Sequence, residues 1–287
     1  MTTVTIGELW QQTAEVLGAR HEARWLLEVA TSLDGRDLDQ ALGEPVTERM
    51  VAHLDAMVAR YRTGEPLAYV LGRWAFRHLD LAVDRRVLIP RPETELVAEV
   101  AIELAARRAP TRLVADLGTG SGAIALAMAD ELPLVGTTVW ATDASDDALD
   151  VARANLAGIG RAAANVRVGA GSWFAALPAD GRGQFDVIVS NPPYVAEGSP
   201  DLDAAVLAWE PGAALFAGPD GLADIRRLVA GAPEWLAPDG WLVLEIGADQ
   251  GGAVVGLYES AGYRDAEVRP DLAGRARIAL GRRPPAG

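Results

Sequence analysis

At 287 residues, half of them hydrophobic, the chain carries enough apolar material for a substantial core, expected as one large domain and a smaller one. It contains no Cys, and with no Lys all 26 basic residues are Arg; that excludes disulfides, thiolate metal sites, cysteine nucleophiles, the lysine of a P-loop and the amine of a Schiff base. The formal net charge of -14 repels polyanions and serves ordinary solubility, and no arginine cluster is dense enough to track phosphates, so nucleic acid is not an expected partner.

The apolar runs stop well short of a membrane span, and the opening MTTVTIGELWQQ lacks the basic and apolar regions of a signal peptide. A cytoplasmic chain with no membrane contact is expected, with a monomer favoured. His21, His53 and His78 lie far apart without zinc-protease spacing, so they read as surface or capping residues, and no metal site is expected.

In chain order, Ile6, Leu9, Trp10, Thr13, Val16 and Leu17 fall on one helical face, and Met50, Leu54, Met57, Val58 and Tyr61 repeat the pattern. DGRDL and GEPV read as breaks, which makes residues 1–68 a small helical bundle. From Thr63 to Asp84 the helical period gives way to short aromatic and β-branched segments, so residues 69–88 are expected to form a connecting β-hairpin. Residues 89–282 then alternate helix-like and strand-like segments, the pattern of a doubly wound parallel sheet, and 283–287 form a frayed tail. Strands are expected at Arg112–Leu117, Thr138–Thr142, Asn165–Val168, Phe185–Ser190 and Trp241–Ile246, with two more near the C-terminus. Helices fall on AIALAMADEL, SDDALDVARANLAG, GLADIRRLVAGAPEWL and DQGGAVVGLYESAG.

The segment LVADLGTGSGAIALAMA places Asp116 at a strand end and Gly118, Thr119, Gly120, Ser121 and Gly122 in the turn before a helix. Glycines there let the backbone approach a ligand at the carboxyl edge of the sheet, although a tight strand-to-helix connection would need them too. The next strand ends in Asp143, about twenty residues on, where a carboxylate can accept from both hydroxyls of a ribose. A cap on the following helix is the competing role for Asp143, but Ser145 is better placed for that. The spacing Gly-x-Gly-x-Gly differs from the Gly-x-Gly-x-x-Gly of dinucleotide sites. A carboxylate at Asp116 would repel a pyrophosphate and suits an ammonium, which points to S-adenosyl-L-methionine as cofactor and S-adenosyl-L-homocysteine as its product.

An apolar run then ends in Asn191, Pro192, Pro193 and Tyr194. The lone pair of an amide or aryl-amine nitrogen is delocalised, so methyl transfer to it needs a site that orients the lone pair and favours the rehybridised transition state. The side-chain oxygen of Asn191 and the carbonyl of Pro192, stiffened by the adjacent prolines, can accept from two N–H protons, and Tyr194 offers a flat face to a planar group.

NPPY following DLGTGSG resembles the class I S-adenosylmethionine-dependent amino-methyltransferases, with a Rossmann-like, seven-stranded, mostly parallel sheet. Together with IPRPETE at Ile89–Glu95, GEPLAYVLG, WEPGAALFAGPDGL and DLAGRARIALGR, the chain is similar over nearly its whole length to the HemK/PrmC family, the protein-(glutamine-N5) methyltransferases of peptide chain release factors. The resemblance implies methylation of the glutamine amide in the Gly-Gly-Gln motif of class-1 release factors. It implies that 89–282 is the catalytic domain and that 1–68 helps grip the release factor. It also implies that Gly118–Gly122 and Asp143 contact the cofactor, that Trp173 flanks its adenine, and that Asn191–Tyr194 hold the glutamine. Many members have Asp before this aromatic, where this chain has Ser172, whose hydroxyl can still accept a hydrogen bond. Arg91 and Glu93 carry no assignment beyond capping a helix. The alternative is an N6-adenine DNA methyltransferase, since NPPY can also grip the amino group of a flipped base; the acidic balance and the lack of an obvious target-recognition insert oppose it.

Overall fold

The computed structural model describes residues 4–108, 110–199 and 203–284. The last part of the expected tail, 285–287, lies outside the described residues. The chain divides into two compact units, Met1–Arg73 and Trp74–Gly287.

The first unit is helical: α1 (Ile6–Leu17), α2 (Arg20–Thr31), α3 (Gly35–Gln40), α4 (Glu48–Arg62) and α5 (Leu67–Leu71). Helix α1 begins at a reciprocal cap, in which the Glu8 amide donates to Thr5 Oγ1 and the Thr5 amide donates to Glu8 Oε2, and it ends at Gly18 with φ 65°. Ile6 and Leu9 of α1 pack with Leu26, Leu27, Leu38, Leu54 and Met57, while Val16, although on the apolar stripe, is 59% exposed. Two stretches differ from expectation. DGRDL is not a break: its leucine, Leu38, is fully buried, and α3 forms around it after Asp34. LAYVL, expected within the hairpin region, is the helical turn α5, set between Pro66 and Gly72 (φ 72°). A run of apolar residues without alternation has no face to give a two-stranded sheet, whereas a helical turn buries Ala68, Tyr69 and Val70 together.

A two-stranded hairpin, β1 (Arg73–Phe76) and β2 (Leu79–Ala82), leads into the second unit. Then come α6 (Pro92–Ala106), β3 (Arg112–Leu117), α7 (Ala123–Glu131), β4 (Thr137–Asp143), α8 (Asp146–Gly158), β5 (Val166–Ala170), β6 (Phe185–Ser190), α9 (Ala204–Trp209), α10 (Ala223–Trp235), β7 (Leu236–Glu245), α11 (Gly251–Ser260), β8 (Arg264–Pro270) and β9 (Ala276–Arg282). The seven-stranded sheet has the order β5-β4-β3-β6-β7-β9-β8, with β9 alone antiparallel to its neighbours. The β8–β9 connection is too short for a crossover, which forces that reversal.

Alternation along the strands divides the core. Val114, Val139, Val187 and Val243 face α6 and α7 through Val97, Ala101, Ile124 and Met128. Ala115, Ile188, Leu242 and Leu244 face α10 and α11 through Ile225, Leu228, Val254 and Tyr258. Both faces are covered, so the central strands read as continuous apolar runs.

One side chain ties the hairpin to the future site. Asn155 of α8, buried, accepts from the Ala82 amide at 2.7 Å and donates to the carbonyls of Ala82 at 3.0 Å and Ser121 at 2.8 Å. Asn155→Ala strands three backbone groups and is expected to destabilise the chain by about 3 kcal/mol. Urea unfolding checks this, and an unchanged midpoint would refute it.

Candidate active site

Parallel strands place their carboxyl ends on one edge, and the order reverses between β3 and β6, where open α/β sheets leave a crevice. The turn after β3 occupies that edge. Gly118, Gly120 and Gly122 take φ values of 75°, 56° and 88°, a left-handed backbone that side chains disfavour. The turn is held from within: the amides of Gly118 and Thr119 both donate to the Thr142 carbonyl at 2.8 Å, Gly122 donates to Thr119, and Gly120 donates to Asp143 Oδ2 at 2.9 Å. A Cβ at Gly120 would meet open space, so this backbone is bare toward the crevice.

Asp116 is 1% exposed. Its Oδ2 accepts from Thr119 Oγ1 at 2.6 Å and from the Ala125 amide at 3.1 Å, while Oδ1 is buried with no partner. Burial pushes this carboxyl up to about 7, against the pull of the Thr119 and Ala125 hydrogen bonds and with help from the charge of Asp143. Half of the group therefore braces the turn, and the other half is an acceptor without a donor. Asp143, partly exposed, also accepts from the Ser145 amide at 2.9 Å, and Ser145 itself caps α8 through the Ala148 amide.

Asp116, Gly118, Thr119, Gly120, Ser121, Asp143, Ser172, Trp173, Asn191 and Pro193 converge on one cavity of about 480 Å³. Gly122, Pro192 and Tyr194 are not on its wall. Gly122 starts α7 against Leu126, Pro192 is buried, and the Tyr194 ring packs on the core under α10 and α11. Trp173 has φ 50°, and its ring edge lies where a Cβ on Gly118 would approach to 3.3 Å. Ser172 is exposed beside it.

At the end of β6, Ser190 Oγ donates to the Leu117 carbonyl at 2.6 Å, and Asn191 follows. Asn191 Nδ2 donates to Thr94 Oγ1 at 3.2 Å, Thr94 Oγ1 donates to Glu245 Oε2 at 2.6 Å, and Tyr194 Oη donates to Glu245 Oε1 at 3.2 Å. Burial pushes Glu245 up to about 7; the Thr94 hydrogen bond, the charge of Arg277 and the Tyr194 hydrogen bond pull it down, and Glu93 adds to the rise. Burial, then the charge of Glu245, raises the Tyr194 phenol well above its ordinary range. Gln250 Nε2 donates to the Tyr194 carbonyl at 2.9 Å, and the Val195 amide donates to Leu215. Arg91 precedes α6 as its cap residue without a side-chain cap bond. Its guanidinium instead pairs at 2.5 Å with the buried Glu210, which also accepts from the Ile89 amide. Thr94, Glu210 and Glu245 were not among the residues singled out from sequence. Thr94 and Glu210 lie in the motifs IPRPETE and WEPG, and Glu245 interrupts an apolar strand.

The crevice, the bare glycine turn and the polar strand end after β6 define the class: a methyltransferase built on an open α/β sheet. The family model described as methyltransferase small domain matches residues 96–208, and the one described as PrmC N-terminal domain matches residues 11–72. The release factor glutamine methyltransferase of Neisseria gonorrhoeae is 42% identical over 262 residues, 91% of this chain and 92% of that one. That of Burkholderia pseudomallei is 44% identical over 266 residues, 92% of each. A methyltransferase structure from Pyrococcus furiosus, 20% identical over 79% of this chain and 98% of that one, shares the fold with a TM-score of 0.53. The chain belongs to the release factor glutamine methyltransferase family.

Two expectations follow from this geometry. Asp116 keeps its proton to about pH 7 when folded but sheds it near 3.8 when unfolded, so the folded state holds the extra proton between those values and loses stability as pH rises through them. Asn imitates the protonated form and does not titrate. The parent should therefore lose thermal stability relative to Asp116→Asn as pH rises from 3.8 to about 7, and parallel curves would refute the assignment. Gly221 has φ 70°, and a Cβ there would strike the Tyr194 carbonyl and stand 3.0 Å from the Ala196 amide. Gly221→Ala should lower the unfolding free energy by about 2 kcal/mol, read by urea titration, with no loss contradicting the packing described.

Proposed function

We propose that this chain methylates the side-chain amide nitrogen of the glutamine in the Gly-Gly-Gln motif of class-1 peptide chain release factors, with S-adenosyl-L-methionine as donor. The observation that carries the reading is the placement of Asn191, a rigid strand-end carboxamide, on the wall of the cavity that Asp143 and Trp173 also line. The residues present fit that donor. The bare Gly120 backbone, the unpartnered Asp116 Oδ1 and the cavity of about 480 Å³ suit a compact ligand carrying an ammonium and a nucleoside.

When bound, S-adenosyl-L-methionine supplies a methyl carbon made electrophilic by a sulfonium and departs as S-adenosyl-L-homocysteine. Asp143 would accept from its ribose hydroxyls, Trp173 and Ser172 would bound its adenine, and Asp116 with Gly118–Ser121 would receive its amino-acid end. Asn191 Oδ1 would accept one N–H of the substrate amide, turning the nitrogen lone pair toward the methyl carbon and stabilising the positive charge that develops there; the Pro192 carbonyl, expected from sequence as a second acceptor, belongs to a buried residue off the cavity wall. Pro193 and Tyr194 keep the Asn191 acceptor stiff. The surplus proton leaves the nitrogen to solvent.

Residues 89–282 are assigned as the catalytic domain, with 69–88 linking it to the helical part. The helical residues 1–68 are assigned to gripping the release factor, an assignment supported by the match of that region to the N-terminal family model. Such a substrate puts the reaction in the cytoplasm.

The test is incubation with methyl-labelled donor and a purified release factor, its Gly-Gly-Ala counterpart, or duplex DNA. Label is expected on the Gly-Gly-Gln protein alone; label on the duplex with none on the release factor overturns the reading. Asn191→Ala should lower the transfer rate by about a hundredfold while donor affinity, measured by calorimetry, stays at the parent value.

A further inference from the structure

Asn191 has to present its oxygen to the substrate amide, yet the two ends of a carboxamide have similar size and opposite hydrogen-bonding sense. With the NH2 group turned toward substrate, two donors would face each other. The protein must therefore settle which end points where.

The proton directions settle it. Glu245 closes β7 and is 1% exposed. As a carboxylate it only accepts, and it does so twice: Oε2 from Thr94 at 2.6 Å and Oε1 from Tyr194 at 3.2 Å. The Thr94 hydroxyl has one proton, and it is spent on Glu245. Its oxygen can then only accept from Asn191, whose Nδ2 stands at 3.2 Å. If Asn191 were reversed, its Oδ1 would meet a hydroxyl oxygen with no proton to give, two lone pairs in contact.

We propose that Glu245, acting through Thr94, is a positioning residue that holds the Asn191 carboxamide with its oxygen presented to the substrate amide. This rests on the reading of Asn191 as acceptor for the glutamine N–H protons. It explains why a carboxylate stands here despite the penalty for burying one. A glutamine of similar volume would avoid that penalty, but its carboxamide carries a donor on one side and cannot accept from Thr94 and Tyr194 together. The charged and titratable groups around Glu245 are Glu93 on α6, Tyr194 after β6 and Arg277 on β9. Arg277 favours the charged form, Glu93 opposes it, and burial outweighs both, so the carboxylate forms as pH rises through about 7. Below that value a protonated Glu245 can donate to Thr94, which frees the threonine proton for Asn191 and permits the reversed amide.

The parent chain, Glu245→Gln, Thr94→Val and Thr94→Ser are compared on a release factor. Valine keeps the shape of threonine and removes the relay, while serine keeps the hydroxyl. Glu245→Gln and Thr94→Val should lower kcat by about ten- to a hundredfold, with donor affinity by calorimetry within about twofold of the parent, and Thr94→Ser should restore most of the rate. The parent rate should fall below about pH 7, and the corresponding limb should be missing in Glu245→Gln. Equal rates for Thr94→Val and Thr94→Ser, or a parent-like pH profile in Glu245→Gln, overturn the inference even where the parent methylates its substrate. A parent chain that leaves the release factor unlabelled removes the underlying reading and this one with it. Should Glu245→Gln fail to fold, the two Thr94 variants decide.

Discussion

A buried polar atom left without a partner costs free energy, and that single constraint shapes the carboxyl edge of this sheet. Strands β4, β6 and β7 end in Asp143, Ser190 and Glu245, and Asp116 stands one residue before the end of β3 among them. Ser190 is tied across to the Leu117 carbonyl, and the amides of Gly118 and Thr119 share the Thr142 carbonyl, so neighbouring strand ends are stitched together before any ligand arrives. Side chains engaged in this way lose little further freedom when the reacting groups are positioned, which is the condition for preorganised catalysis. On the cavity wall, Asp116 Oδ1 is buried and unmatched. A buried acceptor that no protein donor reaches, in a residue lining the cavity, is a place where binding energy can be gained.

The stitching reaches into distant parts of the chain. Thr94 at the start of α6 meets Glu245 from 151 positions away, and Arg91 meets Glu210 from 119 positions away. The stretch from Arg91 into the first turn of α6 thus holds two separate parts of the chain, the strand end at β7 and the loop before α10. A run that looks like a helix cap is a clasp, and its two prolines suit that role because they limit how far its backbone can move.

What was legible in the amino-acid order follows from the range of the forces involved. Strands β3 and β6 match the expected bounds residue for residue, because a strand buried on both faces is an apolar run that stops where polar side chains begin. The glycine turn and the Ser145 cap are local chemistry and were equally readable. The helical turns α3 and α5 were not, because burial of Leu38 and Val70 against other helices, rather than local period, makes them. Nor could sequence reveal that one oxygen of Asp116 braces its own turn, or that Thr94 and Glu245 stand behind Asn191. Those contacts exist only once the sheet has brought its edge together.

The same edge discriminates among ligands by charge. A helix entrance binds phosphate when its backbone N–H groups are free. Here the amides of Gly118, Thr119, Gly120 and Gly122 are already donated to Thr142, Asp143 and Thr119. Asp116 and Asp143 line the cavity together, while the arginines at its rim are each matched, Arg86 by Asp84 and Arg227 by Asp224. A pyrophosphate would meet these four engaged amides and the carboxyl groups of Asp116 and Asp143, and the backbone of a nucleic acid would meet the field of a chain with a net charge of -14. A ligand with an ammonium and a sulfonium, as proposed above, would instead meet the carboxyl groups of Asp116 and Asp143. On that reading the acidity of the chain would act at this edge as a preference for a cationic donor and an uncharged acceptor.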